Sequence, residues 1–294
     1  MCHLIYTDTF YMKRKWIRWV SWILLTPIIL FVILMVLLYV PPVQNLLRRE
    51  VTAYASKVTG MQIQVERIDL RFPLNLLVRG VEVIQQPDTL LSLESLNVRV
   101  QAWPLIKGKV EVDEVTLSRV AVNSADLMEG MKIKGVLGRF FLQSHGVDLS
   151  NELAVINQVE LSDTHVQLLM NDTTTTPKDT TASAPINWKV ALHQLKLKNV
   201  SFSMQLPADS MRMAAHIGEA AINDAQADLK NQYYDLKKFL LSGTSASYDT
   251  GTAQPAKGFD ASHIAVRDIR IALDSLLYKG RDMNAVIREF TMNE

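Results

Sequence analysis

From Met61 onward, apolar and polar residues alternate in short runs that repeatedly slip by one position. Three of these runs read Val110, Val112, then Val115, Leu117; Val190, Leu192, then Leu195, Leu197; and Ile264, Val266, then Ile269, Ile271. The shared unit is apolar-x-apolar, two polar residues, apolar-x-apolar. Because a period of two is that of a β-strand with one apolar side, residues 61–294 are predicted to be mainly β.

The slips can be explained in two ways. The intervening polar pairs, among them Glu66-Arg67, Asp113-Glu114, His193-Gln194 and Arg267-Asp268, could form two-residue hairpin turns or β-bulges. Bulges are favoured, because these pairs lack the Gly or Asn that such hairpins require. A bulge bends and twists a strand while its apolar residues stay on one face. The pattern therefore predicts a curved antiparallel β-sheet with groove-like repeats.

The apolar positions of two strands are the candidate lining of that groove. They are Val110, Val112, Val115, Leu117, Val190, Leu192, Leu195 and Leu197. A continuous apolar face of this kind could bind an acyl chain away from water. The same face could instead pack a closed core, as in a β-sandwich, which would leave a scaffolding domain. The pattern alone leaves both alternatives open.

A transmembrane anchor is predicted at residues 16–40, because the stretch from Val20 to Val40 contains no charged residue. As a helix this stretch is about 31 Å long, which matches the hydrocarbon thickness of a bilayer. A cleaved signal peptide is the alternative, but its apolar core would be shorter. Basic residues crowd the N-terminal flank, so residues 1–15 are expected to be a cytoplasmic tail and the body to lie on the other side of the membrane.

Residues 41–60 are predicted to form an amphipathic helix that ends at Gly60. It could lie on the membrane surface or cap the sheet, and capping is favoured. Two stretches rich in small and polar residues, 171–185 and 243–258, are predicted to be loops within the β-region, and 125–146 could be a helix or a strand. The pattern is still running at Glu294, so we expect the chain to continue in a longer protein.

Composition narrows the function classes. The net charge is +1, which gives no indication of nucleic acid as a partner. The single cysteine is Cys2, so the body has no disulfide framework and no thiol metal site. The six histidines show no metal-ligand spacing, and there is no P-loop, nucleophile elbow or dinucleotide fingerprint. We therefore expect a protein that is not an enzyme and that has no cofactor and no metal.

The stretches QIQVERIDLRFPLNLLVRGVEV and SLESLNVRVQAWPLIKGKVEVDEVTLSRVAV resemble the AsmA-like family, together with the preceding span and the helix ending in Thr59-Gly60. Within that family they are most similar to the N-terminal part of the translocation and assembly module (TamB) branch. The resemblance implies a single-pass protein of the bacterial inner membrane with a periplasmic β-groove. It also implies a role in outer-membrane biogenesis, either in protein insertion and secretion or in phospholipid transport. Outer-membrane assembly proteins would then be partners, through a C-terminal region that this sequence lacks.

Overall fold

The computed structural model describes Thr26, Ile29, Val36 and residues 39–106, 111–124, 130–148, 151–170, 187–251 and 260–293. Most of the anchor predicted at 16–40 lies outside these residues, as do residues 1–15 and Val110. Within the described part of the chain, no helix is both long enough and apolar enough to cross a membrane.

The described chain is mainly β and forms one large, open, curved sheet of eleven strands. The strands are β1 (Gln62–Arg71), β2 (Asn75–Gln85), β3 (Asp88–Val100), β4 (Val112–Asn123), β5 (Met131–Asp148), β6 (Leu153–Met170), β7 (Lys189–Leu206), β8 (Met211–Asp228), β9 (Tyr233–Asp249), β10 (His263–Lys279) and β11 (Asp282–Asn293). Their spatial order is their order in the chain. The prediction of a curved β-sheet is confirmed at this level.

Neighbouring strands are antiparallel, with one exception that the sequence did not predict. β6 and β7 pair in parallel, from Leu153 beside Lys189 to Leu169 beside Gln205. The chain therefore returns to the end of the sheet where β6 began before it starts β7. The predicted loop at 171–185 lies outside the described residues, in this connection.

A second loop prediction was partly wrong. Residues 243–249 belong to β9, where residues 246–249 pair with both β8 and β10. Small residues occupy the neighbouring positions of β8: Ala215 faces Ala246, and Ala214 faces Ser247. A run of Ser, Thr and Ala fits between such neighbours, although its composition resembles a loop. Of the ambiguous stretch 125–146, residues 131–146 belong to β5, and residues 125–129 lie outside the described residues.

The helix α1 (Pro41–Thr59) ends with Gly60 in the left-handed conformation, as predicted, and lies along the outer edge of β1. Its polar side faces the sheet. Gln44 donates a hydrogen bond to the carbonyl oxygen of Leu70 at 2.9 Å, Arg48 donates to that of Glu66 at 2.9 Å, and the backbone N–H of Ile63 donates to the Ser56 hydroxyl at 3.1 Å. Side chains of α1 thus satisfy backbone groups that an edge strand would leave unpaired.

The apolar side of α1 is exposed instead. Val51 is 52% exposed, Tyr54 72% and Val58 66%. The sequence predicted the amphipathic helix and its contact with the sheet, but the usual assumption that an apolar side packs inward does not hold here.

No second layer of secondary structure covers either face of the sheet within the described residues. Each strand packs against its neighbours in the sheet, α1 packs against β1, and the short helix α2 (Ala102–Ile106) follows β3. Few apolar side chains are buried, and these are mainly small residues or leucines: Leu77, Leu90, Ala154, Leu206, Ala220 and Ala272. The closed sandwich core considered from the sequence is therefore not what these residues form.

Candidate apolar binding face

An unbroken row of apolar residues crosses all eleven strands at the level of Val115. It consists of Leu70, Leu76, Val98, Val115, Leu142, Val159, Leu195, Ile222, Phe239, Leu273 and Ile287, each paired with the next across the sheet. We call it the Val115 row. Residues opposite each other on neighbouring strands point to the same face, so the row is one continuous apolar strip.

A second strip lies two residues further along β4. It consists of Ile68, Val78, Leu96, Leu117, Phe140, Leu161, Leu197, Ala220, Leu241, Ile271 and Phe290. We call it the Leu117 row. Because side chains two residues apart in a strand share a face, both rows lie on the same side of the sheet, which we call the front face.

The positions that flank these rows point to the back face and are polar from β1 to β9. On one side the flanking row contains Arg71, Asn75, Arg99, Glu114, Gln143, Gln158, Gln194, Asn223 and Lys238. On the other side it contains Arg67, Arg79, Ser95, Ser118, Arg139, Ser162, Lys198, Glu219 and Ser242. The row between the two strips, which includes Thr116 and Lys196, is mixed. The two faces therefore differ in polarity.

A break in the hydrogen-bond ladder crosses the sheet next to the Leu117 row and accounts for the slip in the sequence pattern. One residue of each strand from β1 to β9 has no paired partner there, although the register is the same on both sides of the break. These residues are Glu66, Gly80, Glu94, Arg119, Gly138, Asp163, Asn199, Gly218 and Gly243. Arg119, Asp163, Asn199 and Gly243 have left-handed backbones, with φ of 46°, 51°, 52° and 57°.

The break resets the alternation of side chains, as a bulge does. We infer that the next apolar residues of β4, Val120 and Val122, thereby return to the front face. Two-residue hairpin turns, the less favoured alternative, do not occur at the polar pairs, because the same strands continue on both sides of them. An extra residue, as in a true bulge, is present at Asp113 and between Val266 and Ile269. At Glu66 and His193 the ladder is interrupted without a register shift.

Close backbone approach explains the glycines of this break. A Cβ added at Gly218 would lie 2.7 Å from the carbonyl oxygen of Gly243, and one at Gly138 would lie 2.7 Å from the Cβ of Asp163. Polar side chains connect other members: Asn199 donates to Asp163 at 2.7 Å, and Arg119 forms an ion pair with Glu94.

Four of the eight lining residues predicted from the sequence fall in these rows. Val115 and Leu195 share the Val115 row, and Leu117 and Leu197 share the Leu117 row, although β4 and β7 are separated by two strands. The others lie beyond the rows. Val112 pairs with Val100, Leu192 with Ile156 and Ala225, and Val190 with Ala154 and Ala227, while Val110 lies outside the described residues.

Sequence reasoning chose lining residues in β4 and β7 only, and it did not recognise the apolar unit in β5, β6, β8 and β9. The same unit is present in them, for example Val159, Leu161, then Thr164, Val166 in β6 and Phe239, Leu241, then Thr244, Ala246 in β9. Thr and Ala occupy apolar positions of the unit there. Accepting Ala, Thr and Gly at those positions would have found these strands.

At the end of the sheet where β10 begins, there is an open depression with a volume of about 520 Å³. Met204, Met213, Tyr248 and Ile264 follow one another across its floor on β7 to β10. Both ring nitrogens of His263, at its rim, lie 3.1 Å from carboxylate oxygens, of Asp249 and Asp260.

Two side chains near the opposite end of the sheet have pKa values that differ from their ordinary values. Hydrogen bonds from Asn231 lower the pKa of Asp228, and nearby Lys189 acts in the same direction. A hydrogen bond to Asp235 raises the pKa of Lys237. The Val115 and Leu117 rows contain no titratable side chain, so their polarity is independent of pH.

No protein-family model and no curated protein matches the chain. Within the described residues, no three His, Cys, Asp or Glu side chains lie close enough together to hold a metal ion. The continuous Val115 and Leu117 rows point to apolar contact along the front face.

Proposed function

We propose that this protein binds the acyl chains of phospholipid along the front face of its sheet and moves lipid along it, as a non-enzymatic component of outer-membrane biogenesis. In this proposal residues 16–40 anchor the chain in the bacterial inner membrane, the N-terminus is cytoplasmic and the body is periplasmic. The similarity to AsmA-like proteins, greatest for the TamB branch, supports this setting.

The observation that carries the proposal is the continuity of the Val115 and Leu117 rows through all eleven strands. At about 4.8 Å between strands, the rows are about 48 Å long. An acyl chain in one leaflet extends through about 15 Å of hydrocarbon, half the bilayer core. The rows could thus hold an acyl chain at successive positions without a polar interruption.

Because the sheet is open, this apolar surface remains partly accessible to solvent. From β1 to β10, the side chains of the two rows are half-buried, apart from buried Ala220, and no layer lies above them in the described part of the chain. Transfer of an acyl chain from water onto such a surface is favourable by up to about 0.8 kcal/mol for each methylene that is fully buried. Because neighbouring positions along the strip are equivalent, an acyl chain should meet only a low barrier when it slides from one position to the next.

A protein client is a second candidate, and β11 favours it. All twelve residues of this edge strand are exposed, including Met283, Ile287 and Phe290, and no element of the described residues lies along its outer edge. An exposed edge strand is a template for pairing with an added strand. Assistance of outer-membrane protein insertion would place the client on the exposed side chains of this strand.

Site-specific photo-crosslinking in cells distinguishes these possibilities. A photoreactive residue at Leu117 or Leu197, on the front face, should yield phospholipid adducts, whereas one at Lys198, on the polar back face, should not. Positions that yield only intramolecular or protein crosslinks would contradict lipid binding. Protein adducts at Phe290 of β11 would support the second candidate.

A further inference from the structure

We propose that the corner formed by the turn after β1 and the helix α2 docks in the headgroup layer of the membrane. We call this surface, made of Tyr39, Phe72 and Trp103, the Phe72–Trp103 corner. The inference rests on the proposed anchoring through residues 16–40 and adds to it the part of the sheet that touches the lipid surface.

The two apolar side chains of the corner are unusually exposed. Phe72 is 84% exposed and Trp103 is 68% exposed. Aromatic side chains are amphipathic, and Trp in particular is enriched where water meets lipid. Exposed Arg71 adjoins Phe72 and could reach a lipid phosphate.

Hydrogen bonds and a ring contact hold the corner together. The Tyr39 hydroxyl donates to the carbonyl oxygen of Pro73 at 2.6 Å, and the rings of Tyr39 and Phe72 lie edge to face with centroids 6.4 Å apart. The N–H of Val100 donates to the carbonyl oxygen of Leu74 at 2.9 Å. This bond fixes the end of β3, and hence the start of α2 with Trp103, beside the same turn.

The position of Tyr39 identifies lipid as the partner. The uncharged stretch of the sequence runs from Val20 to Val40, so Tyr39 stands at the point where that stretch meets the body. If the stretch is in the bilayer, Tyr39 is at its surface, and the hydrogen bond to Pro73 brings Phe72 to the same level. The ends of β1 and β3 then face the membrane, and α1 leads away from it.

Tyr54 offers a matched control for this orientation. It is also an exposed aromatic residue, at 72%, but it lies in the second half of α1, beside the far end of β1. At 1.5 Å per residue it is about 20 Å along the helix from the start of α1. A docked corner therefore keeps position 54 outside the headgroup layer.

Depth-dependent fluorescence quenching in the full chain tests the proposal. Trp16, Trp19, Trp22 and Trp188 are replaced by Phe, which leaves Trp103, and the protein is reconstituted in phosphatidylcholine vesicles whose acyl chains are brominated near the headgroup. A second protein carries Tyr54→Trp together with Trp103→Phe. We expect strong quenching of Trp103 emission and little quenching of the tryptophan at position 54.

The two proposals fail in different ways. A protein that is removed from the vesicles by alkaline carbonate would contradict the anchor. A protein that resists carbonate but shows unquenched Trp103 emission would overturn the docking of the corner alone. Quenching at position 54 as strong as at Trp103 would also overturn it, because α1 rather than the corner would then be the contact.

Discussion

The side-chain amide of Asn199 donates to the carboxylate of Asp163 at 2.7 Å across β6 and β7, the parallel pair of the sheet, and both residues have left-handed backbones. The bond lies in the break that borders the Leu117 row. Asn and Asp tolerate the left-handed conformation better than other residues with a Cβ. The pair therefore keeps the break continuous between the two neighbouring strands that run in the same direction.

Replacing Asn199 separates the contributions of backbone and hydrogen bond. Asn199→Ala should lower the free energy of unfolding by about 2 kcal/mol, because it loses the hydrogen bond and adds backbone strain. Asn199→Gly should cost less than about 1 kcal/mol, because relief of strain offsets the lost bond. Urea unfolding followed by circular dichroism measures both. Equal stability of the two variants would contradict a left-handed backbone at this position.

Gly218 tests the close approach of β8 and β9. In Gly218→Ala the new Cβ would lie 2.7 Å from the carbonyl oxygen of Gly243, so we expect a loss of about 1–3 kcal/mol in unfolding free energy. Gly135→Ala is the matched control, because its Cβ would have no neighbour closer than 3.4 Å. The control should stay within about 1 kcal/mol of the parent. If both variants unfold at the parent's urea midpoint, the backbones of β8 and β9 do not approach closely at Gly218.

The backbone amides of β1 should exchange faster with solvent when α1 no longer covers the edge of this strand. The double variant Gln44→Ala, Arg48→Ala removes the hydrogen bonds to the carbonyl oxygens of Leu70, Val65 and Glu66. We expect a loss of about 2 kcal/mol in stability and faster amide exchange in β1. Arg49→Ala, which changes an exposed neighbour, is the control. Unchanged exchange of β1 amides in the double variant would show that these bonds do not protect the edge.

Much of this fold follows from the alternation of apolar residues, because a period of two with one-residue slips is a local signal. Some of the polar pairs that mark the slips, such as Glu66-Arg67 and Lys198-Asn199, coincide with the break in the ladder, whereas Asp113-Glu114 coincides with an extra residue in β4. The lining residues Val115, Leu117, Leu195 and Leu197 could be chosen from their own strands. Their alignment into shared rows depends on register between strands, which no single strand encodes.

Other features depended on contacts that sequence patterns do not show. The parallel pairing of β6 and β7 is set by the path of the chain between them, and the spacing of residues in either strand is compatible with both directions. The orientation of α1 follows from unpaired carbonyl groups of β1, which accept bonds from Gln44 and Arg48. Hydrophobic periodicity alone favours the opposite side of that helix.

The most direct test of lipid binding compares a charge on the two faces of one strand. Leu195 lies in the Val115 row on the front face, and neighbouring Lys196 points to the back face, opposite Glu160. The full-length variants Leu195→Glu and Lys196→Glu are purified in mild detergent, their β-content is checked by circular dichroism, and bound phospholipid is quantified by mass spectrometry. A buried carboxylate is costly against an acyl chain, so Leu195→Glu should lose most of the co-purifying phospholipid while Lys196→Glu retains it. Equal phospholipid in two folded variants, or none with the parent protein, would contradict lipid binding along the front face.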